Sequence, residues 1–197
     1  MKILICGSGY VGLSIGLLMS KKVESLTIYD IDEMRVKSLS SGISPIEETD
    51  LKTYLVENFR NILFSSDKKN FSDKDLIIVA TPTNYDEKSQ FFDTESVEIS
   101  IEEALKANKN TTIIIKSTVP VGFTERMRKK YNTENIFFCP EFLREGRSIQ
   151  DNLFPSRIII GGENKKITNF LNLMKKVAKN KPKIIIMSNK EAESVKL

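Results

Sequence analysis

A doubly wound α/β domain, built on a mainly parallel sheet of about eight strands, is the fold this sequence predicts. Three observations carry the prediction. Short β-branched runs alternate with helical patterns over all 197 residues, as strand–helix–strand units with right-handed crossovers require. Runs such as "LIIVA" and "TIIIK" are apolar without alternation, as parallel strands covered on both faces should be. A glycine-rich turn follows the first strand directly and opens into an apolar helix.

The elements follow in order. The first strand, Lys2–Cys6, runs into "GSGYVG", and the helix after it covers Leu13 to Met19. A second strand, Leu26–Tyr29, ends at Asp30, and a third, Asn61–Phe64, comes after an irregular stretch, Ser40–Thr49. The fourth, Leu76–Ala80, gives way to a second irregular stretch, Pro82–Phe92. Both stretches are candidates for site-forming loops. Val97, Ile101 and Leu105 are spaced by four, which marks a helix with Asp93 or Thr94 as its N-cap. The remaining strands are Thr112–Lys116, Ile136–Cys139, Arg157–Ile160 and Lys183–Met187. Phe170, Leu173, Met174 and Val177 stripe a helix between Asn164 and Asn180. No internal repeat or low-complexity linker divides this run, so one domain over 1–188 is expected.

Composition bounds the function. With 30 basic and 26 acidic residues the formal net charge is +4. The basic residues fall in scattered pairs such as Lys21-Lys22 and Lys175-Lys176, with no stripe of interleaved aromatics, so a nucleic-acid partner is not expected. There is no histidine. Proton transfer must then use carboxylates, lysine, hydroxyls or water. Cys6 and Cys139 lie in apolar strand runs and read as buried, inert thiols of a reduced, cytoplasmic interior. Gly7, Gly9 and Gly12 interrupt the amino-terminal apolar run, so targeting is rejected. No run approaches the ~18 residues of a membrane span.

Gly7-x-Gly9-x-x-Gly12 between strand and helix carries the first chemistry. The first glycine permits the tight turn, the second a close backbone approach to a pyrophosphate, and the third close helix–strand packing. Free N–H groups at the helix start, around Tyr10 and Val11, then hold phosphate. Asp30 ends the second strand near the ~20-residue spacing expected of a ribose-binding acid. Its carboxylate would accept from ribose hydroxyls and repel a 2′-phosphate, predicting NAD rather than NADP. Arg35 could be read as a 2′-phosphate partner, but the carboxylate at the strand end opposes that.

Ligands of open α/β sheets sit at the carboxyl ends of the strands. There the sequence offers "ATPTN", "KSTVPVG" and "CPEFLREG", with hydroxyls on Thr81, Thr83, Ser117 and Thr118 and charges on Glu141, Arg144 and Glu145. A carboxylate such as Glu145, hydrogen-bonded to a hydroxyl such as Thr118, could take the proton of an alcohol or activate a water.

"GSGYVGLS", "ATPTNYDEKSQFFDT", "KSTVPVGFT", "CPEFLREG", "DNLFPSRIIIG" and "EAESVKL" together resemble the nucleotide-sugar 6-dehydrogenases, the UDP-glucose/GDP-mannose dehydrogenase family. The likeness is strongest to its short bacterial members acting on UDP-glucose, and it extends from Met1 to Leu197. It implies a Rossmann-type NAD-binding domain and oxidation of the sugar's C6 alcohol to a carboxylate in two NAD-dependent steps. By motif, Val11, Asp30, Arg35, Thr83, Thr118 and Glu145 would contact NAD. Glu141, Phe142, Leu143, Arg144 and Glu145 would touch the nucleotide sugar. Thr118 and Glu145 would position the water that hydrolyses a thioester, and Lys196 would stabilise the oxyanion at C6. The resemblance further implies a central interdomain helix beginning near Glu191, within 189–197, and a catalytic cysteine in a carboxyl-terminal domain beyond Leu197. It also implies a homodimer. Gln150 departs from the family's usual aromatic, and Arg144 also reads as a structural ion pair. Another nucleotide sugar, GDP-mannose or UDP-N-acetylmannosamine, and a stand-alone NAD-binding module remain alternatives.

Overall fold

The computed structural model describes residues 1–86, 91–162 and 164–197. Among them the strands are β1 (Lys2–Cys6), β2 (Ser25–Tyr29), β3 (Leu63–Ser65), β4 (Leu76–Val79), β5 (Asn84–Asp86), β6 (Phe91–Asp93), β7 (Thr112–Ile115), β8 (Ile136–Phe138), β9 (Arg157–Gly161) and β10 (Lys183–Met187). The helices are α1 (Tyr10–Met19), α2 (Glu33–Ser40), α3 (Thr49–Asn58), α4 (Glu95–Ala107), α5 (Phe123–Tyr131), α6 (Ser148–Leu153), α7 (Lys165–Val177) and α8 (Asn189–Lys196).

Six strands form one parallel sheet in the order β3-β2-β1-β4-β7-β8. The chain winds outward from β1 through β2 to β3, then returns to β4 on the other side of β1. The loops after β1 and β4 therefore diverge and leave a crevice between them. Register aligns the strand ends: Cys6 pairs with Tyr29 and Val79, Val79 with Ile115, and Ile115 with Phe138. Hydrogen bonds from the N–H groups of Gly7, Ala80, Lys116 and Cys139 carry the ladders one residue further. Every loop of interest thus leaves the sheet at the same rim.

Alternation of side chains across the strands builds two cores. Ile3, Ile5, Ile28, Ile78 and Ile114 pack on the face covered by α1, α3, α6 and α7. Leu4, Cys6, Ile77, Val79, Ile113 and Ile115 pack on the face of α4 and α5. This explains the unbroken apolar runs.

Four local differences from the sequence expectation have physical causes. The third strand is displaced to Leu63–Ser65 because Phe59–Asn61 close α3 with a 3₁₀ turn. The stretch Pro82–Phe92 contains the short antiparallel pair β5–β6, whose connecting residues lie outside the described ones. The first helix begins at Tyr10, with Gly9 as its N-cap. Lastly, β9 and β10 form a separate parallel pair instead of extending the sheet. The outer edge of β8 is already taken: the Asn189 side chain accepts from Phe138 N at 3.1 Å, and Arg128 Nε donates to the Ile136 carbonyl at 2.7 Å. A seventh ladder would need both groups.

Candidate functional site

A cavity of about 900 Å³ lies at the rim, walled by loops from β1, β2, β4, β7 and β8. The sequence fixes its floor through glycine. Gly7 has φ +94°, and a Cβ there would stand 2.5 Å from the Ala80 carbonyl oxygen. A Cβ at Gly12 would overlap the Gly7 carbonyl oxygen and lie 3.2 Å from Ile5 Cγ2. Gly9 is different, since a Cβ there would have nothing within 4 Å. Gly12 is therefore a packing position that does not line the cavity, whereas open space stands over Gly9.

Gly9, Tyr10 and Val11 line that space. The first backbone bond of α1 runs from Leu13 N to Gly9 O, which leaves the preceding N–H groups without helical partners. No acidic residue occupies the first turn and no side chain caps it, so the positive end of the helix faces the cavity. Beside it, Asp30 Oδ2 accepts from Ser8 N at 2.9 Å and from Ser8 Oγ at 2.5 Å, and Oδ1 accepts from Asp32 N at 3.1 Å. These bonds fix the carboxylate against the glycine loop and leave it part-exposed, with further acceptor capacity. Arg35 lines the same cavity, and its Nε lies 3.9 Å from Asp32.

Thr83, Thr118, Glu141 and Glu145 line the same cavity as Gly9 and Asp30. The Ser117 hydroxyl donates to the Thr81 carbonyl at 2.6 Å and so ties the β4 and β7 loops together. Glu145 is exposed, and no hydrogen bond joins it to Thr118 among the described residues. Glu141 is held firmly: Oε2 accepts from Leu143 N at 2.7 Å and Oε1 from Lys196 Nζ at 2.5 Å. Lys196 also donates to the Glu141 carbonyl at 3.1 Å. It therefore stands behind Glu141 and is not itself part of the cavity wall.

Phe142, Leu143 and Arg144 turn away from this cavity into a second one of about 320 Å³, which shares Lys116 and Glu141 with the first. Arg144 makes a paired contact with Asp151, at 2.6 Å and 3.1 Å. That hydrogen bond holds the Asp151 carboxyl below its ordinary range. Arg157 lies 4.7 Å over the Phe142 ring on the same wall. Gln150 points elsewhere, donating to Asp50 at 2.7 Å.

Three residues that the sequence did not single out shape the site. Lys116 is only 5% exposed, with Nζ 3.3 Å from the Cys139 carbonyl. A charge ending an apolar strand was its one signal. Glu48 is buried and accepts from Ser148 N, Ser148 Oγ and Ile149 N. That bond set anchors the segment just after Glu145. Glu193 is buried beneath α5. Neither glutamate had a sequence signal, because its partners are remote. Cys6 and Cys139 are buried; burial pushes the Cys6 thiol up to about 12 and raises that of Cys139. No group of three or more His, Cys, Asp or Glu able to hold a metal occurs among the described residues. None of their helices is long and apolar enough to cross a membrane.

Residues 1–180 match the model of the UDP-glucose/GDP-mannose dehydrogenase family, NAD binding domain. The chain is 42% identical over 202 residues to a UDP-glucose 6-dehydrogenase of Campylobacter jejuni, covering all of this chain and 51% of that protein. It is 42% identical to one of Streptococcus pneumoniae, covering 52% of it. The chain thus spans about half the length of the curated relatives it matches. Among solved structures, a UDP-D-ManNAc dehydrogenase from Pyrococcus horikoshii superposes with a TM-score of 0.90 at 22% identity, over 100% of this chain and 49% of that one. A UDP-glucose dehydrogenase from Pyrobaculum islandicum gives 0.87 at 25%, over 99% and 48%.

Proposed function

This chain belongs to the UDP-glucose/GDP-mannose dehydrogenase family, as its NAD-binding domain, and from that membership we propose that it serves the NAD-dependent oxidation of UDP-glucose at C6 to UDP-glucuronate. One observation carries the reading. A single cavity joins a phosphate-ready helix start and a ribose-ready carboxylate, Gly9 and Asp30, to Thr118, Glu141 and Glu145.

The residues present fit NAD. The space over Gly9 admits a pyrophosphate against the N–H groups of Tyr10 and Val11. Asp30 accepts from the ribose hydroxyls and disfavours a 2′-phosphate. Arg35 and Thr83 flank the same cavity. When bound, NAD supplies the hydride acceptor. Lys196 is held behind Glu141, so the positive charge it offers an oxyanion developing at C6 acts across that carboxylate and gains strength only as charge appears. Thr118 and Glu145 hold a water between hydroxyl and carboxylate, and Glu145 takes its proton in the hydrolytic step. The second cavity, lined by Phe142, Leu143 and Arg144, takes the nucleotide-sugar side. Because Cys6 and Cys139 are buried, neither serves as the nucleophile, and the chain by itself binds NAD without turnover. The whole enzyme is a cytoplasmic homodimer, a state that light scattering would check.

The test is NADH release, by absorbance, from the full-length enzyme carrying this chain, with UDP-glucose, GDP-mannose and UDP-N-acetylmannosamine in parallel. A clear preference for UDP-glucose is expected. Preference for another sugar would move the substrate, and silence with all three would leave a cofactor-binding module.

A further inference from the structure

Glu193 has no part in the chemistry proposed above, yet it is completely buried, at 0% exposure. A carboxylate taken out of water is strongly destabilised unless donors replace the lost hydration. Here the donors are backbone amides: Gly122 N to Oε2 at 2.5 Å and Thr124 N to Oε1 at 2.8 Å. Both belong to the start of α5, whose N-cap residue, Gly122, has no side chain of its own to cap with. Glu193 therefore caps α5 from a helix 71 residues away, with charge favourable to that helix end.

Two arms of the site meet at this carboxylate. Gly122 closes the loop that begins at Ser117 and carries Thr118. On α8, Lys196 lies one turn beyond Glu193 and bonds to Glu141, while Asn189, one turn before, accepts from Phe138 N. The spacing 189, 193, 196 puts all three anchors on one helix face, with Ala192 buried among them. An apolar stripe alone would allow that helix to slide or roll. Directional bonds to fixed backbone groups do not, and catalytic geometry tolerates only about 0.5 Å of slack.

We infer that Glu193 is a positioning residue that sets the station of Lys196 relative to the Thr118 loop and to Glu141. It acts through these groups and touches no substrate. Its catalytic consequence rests on the function proposed above; its positional consequence does not.

The test separates the two. In the 197-residue chain, lysine amines are ¹³C-methylated and followed by NMR, with the Lys196 signal identified by its loss in Lys196→Arg. In the wild type that signal should stand apart from those of exposed lysines. Glu193→Gln keeps the shape but sets an amide NH₂ against a backbone N–H. It should move the Lys196 signal to the exposed-lysine position, while NAD affinity by calorimetry changes less than about twofold, since Gly9 and Asp30 sit on the β1 and β2 loops and share no hydrogen-bond partner with Glu193. An unmoved Lys196 signal overturns the inference. Should the Gln variant fail to fold, Glu193→Asp, shorter by one methylene, gives the same readout. In the full-length enzyme, kcat should fall roughly 10–100-fold with KM for NAD unchanged. A displaced Lys196 signal with unaltered kcat would instead refute the role given to Lys196 and leave the positioning intact.

Discussion

Gly9 and Gly12 stand three residues apart in one loop, and alanine at each should give opposite results. At Gly9 the added methyl meets no atom within 4 Å, and φ is −75°, a value alanine adopts freely. Replacing glycine by alanine at an N-cap costs up to about 1 kcal/mol. Reduced freedom of the unfolded chain returns ~0.4–1 kcal/mol, so the melting temperature should hold within about 3 °C. The methyl nevertheless occupies the space over which a pyrophosphate must approach, so NAD affinity should drop at least tenfold. At Gly12 the methyl collides with the Gly7 carbonyl oxygen and crowds Ile5 Cγ2 at 3.2 Å. Neither can retreat, because Gly7 N is bonded to Tyr29 O at 2.8 Å and Ile5 is fully buried. Separating α1 from the turn should cost about 3 kcal/mol, a fall of ~6–12 °C for a domain of this size. Differential scanning calorimetry and NAD titration of both variants decide the matter. Equal destabilisation of the two, or full NAD affinity in Gly9→Ala, would refute the division of roles.

Further expectations concern charge and burial. NAD should bind far more tightly than NADP, and Asp30→Ser should narrow that gap; calorimetry with both nucleotides checks it. Asp151 has a lowered folded-state pKa because of Arg144, so it stabilises the fold above its unfolded value of ~3.9 and loses that contribution as pH falls through the folded value. Asp151→Asn should therefore be less stable than wild type at neutral pH and converge with it in strong acid, by urea midpoints. Glu48→Gln strands donors that a carboxylate satisfied and should lower unfolding free energy by about 2–3 kcal/mol. With the Cys6 thiol pushed up to about 12 and Cys139 also raised, neither should react with a thiol reagent at pH 8 until urea unfolds the chain.

What could be read from the sequence was whatever rests on neighbours in the chain. The turn Gly7–Gly12, Asp30 at a strand end and the buried stripe of α7 all follow from local spacing, and the structure has them where that spacing puts them. The separation of β9 and β10 from the main sheet was not legible, because it depends on Asn189 and Arg128 reaching the β8 edge from elsewhere. Lys116 read as the last residue of an apolar strand, and only packing shows it buried between two cavities. Glu48 and Glu193 looked like ordinary loop and helix acids, since their partners lie 100 and 71 residues away. Thr118 follows one strand end and Glu141 and Glu145 follow the next, and it is the sheet order that brings them to one wall.

The anchoring of Ser148 by Glu48 also bears on the order in which a newly made chain matures. The Ser8–Asp30 contact beneath the glycine turn closes a span of 22 residues, whereas Glu48–Ser148 closes one of 100. Chain-closure entropy makes the longer span harder by about 1.3 kcal/mol, close to a tenfold disadvantage. The nucleotide cradle is thus favoured to assemble early, and the acid-bearing segment to lock into place after it.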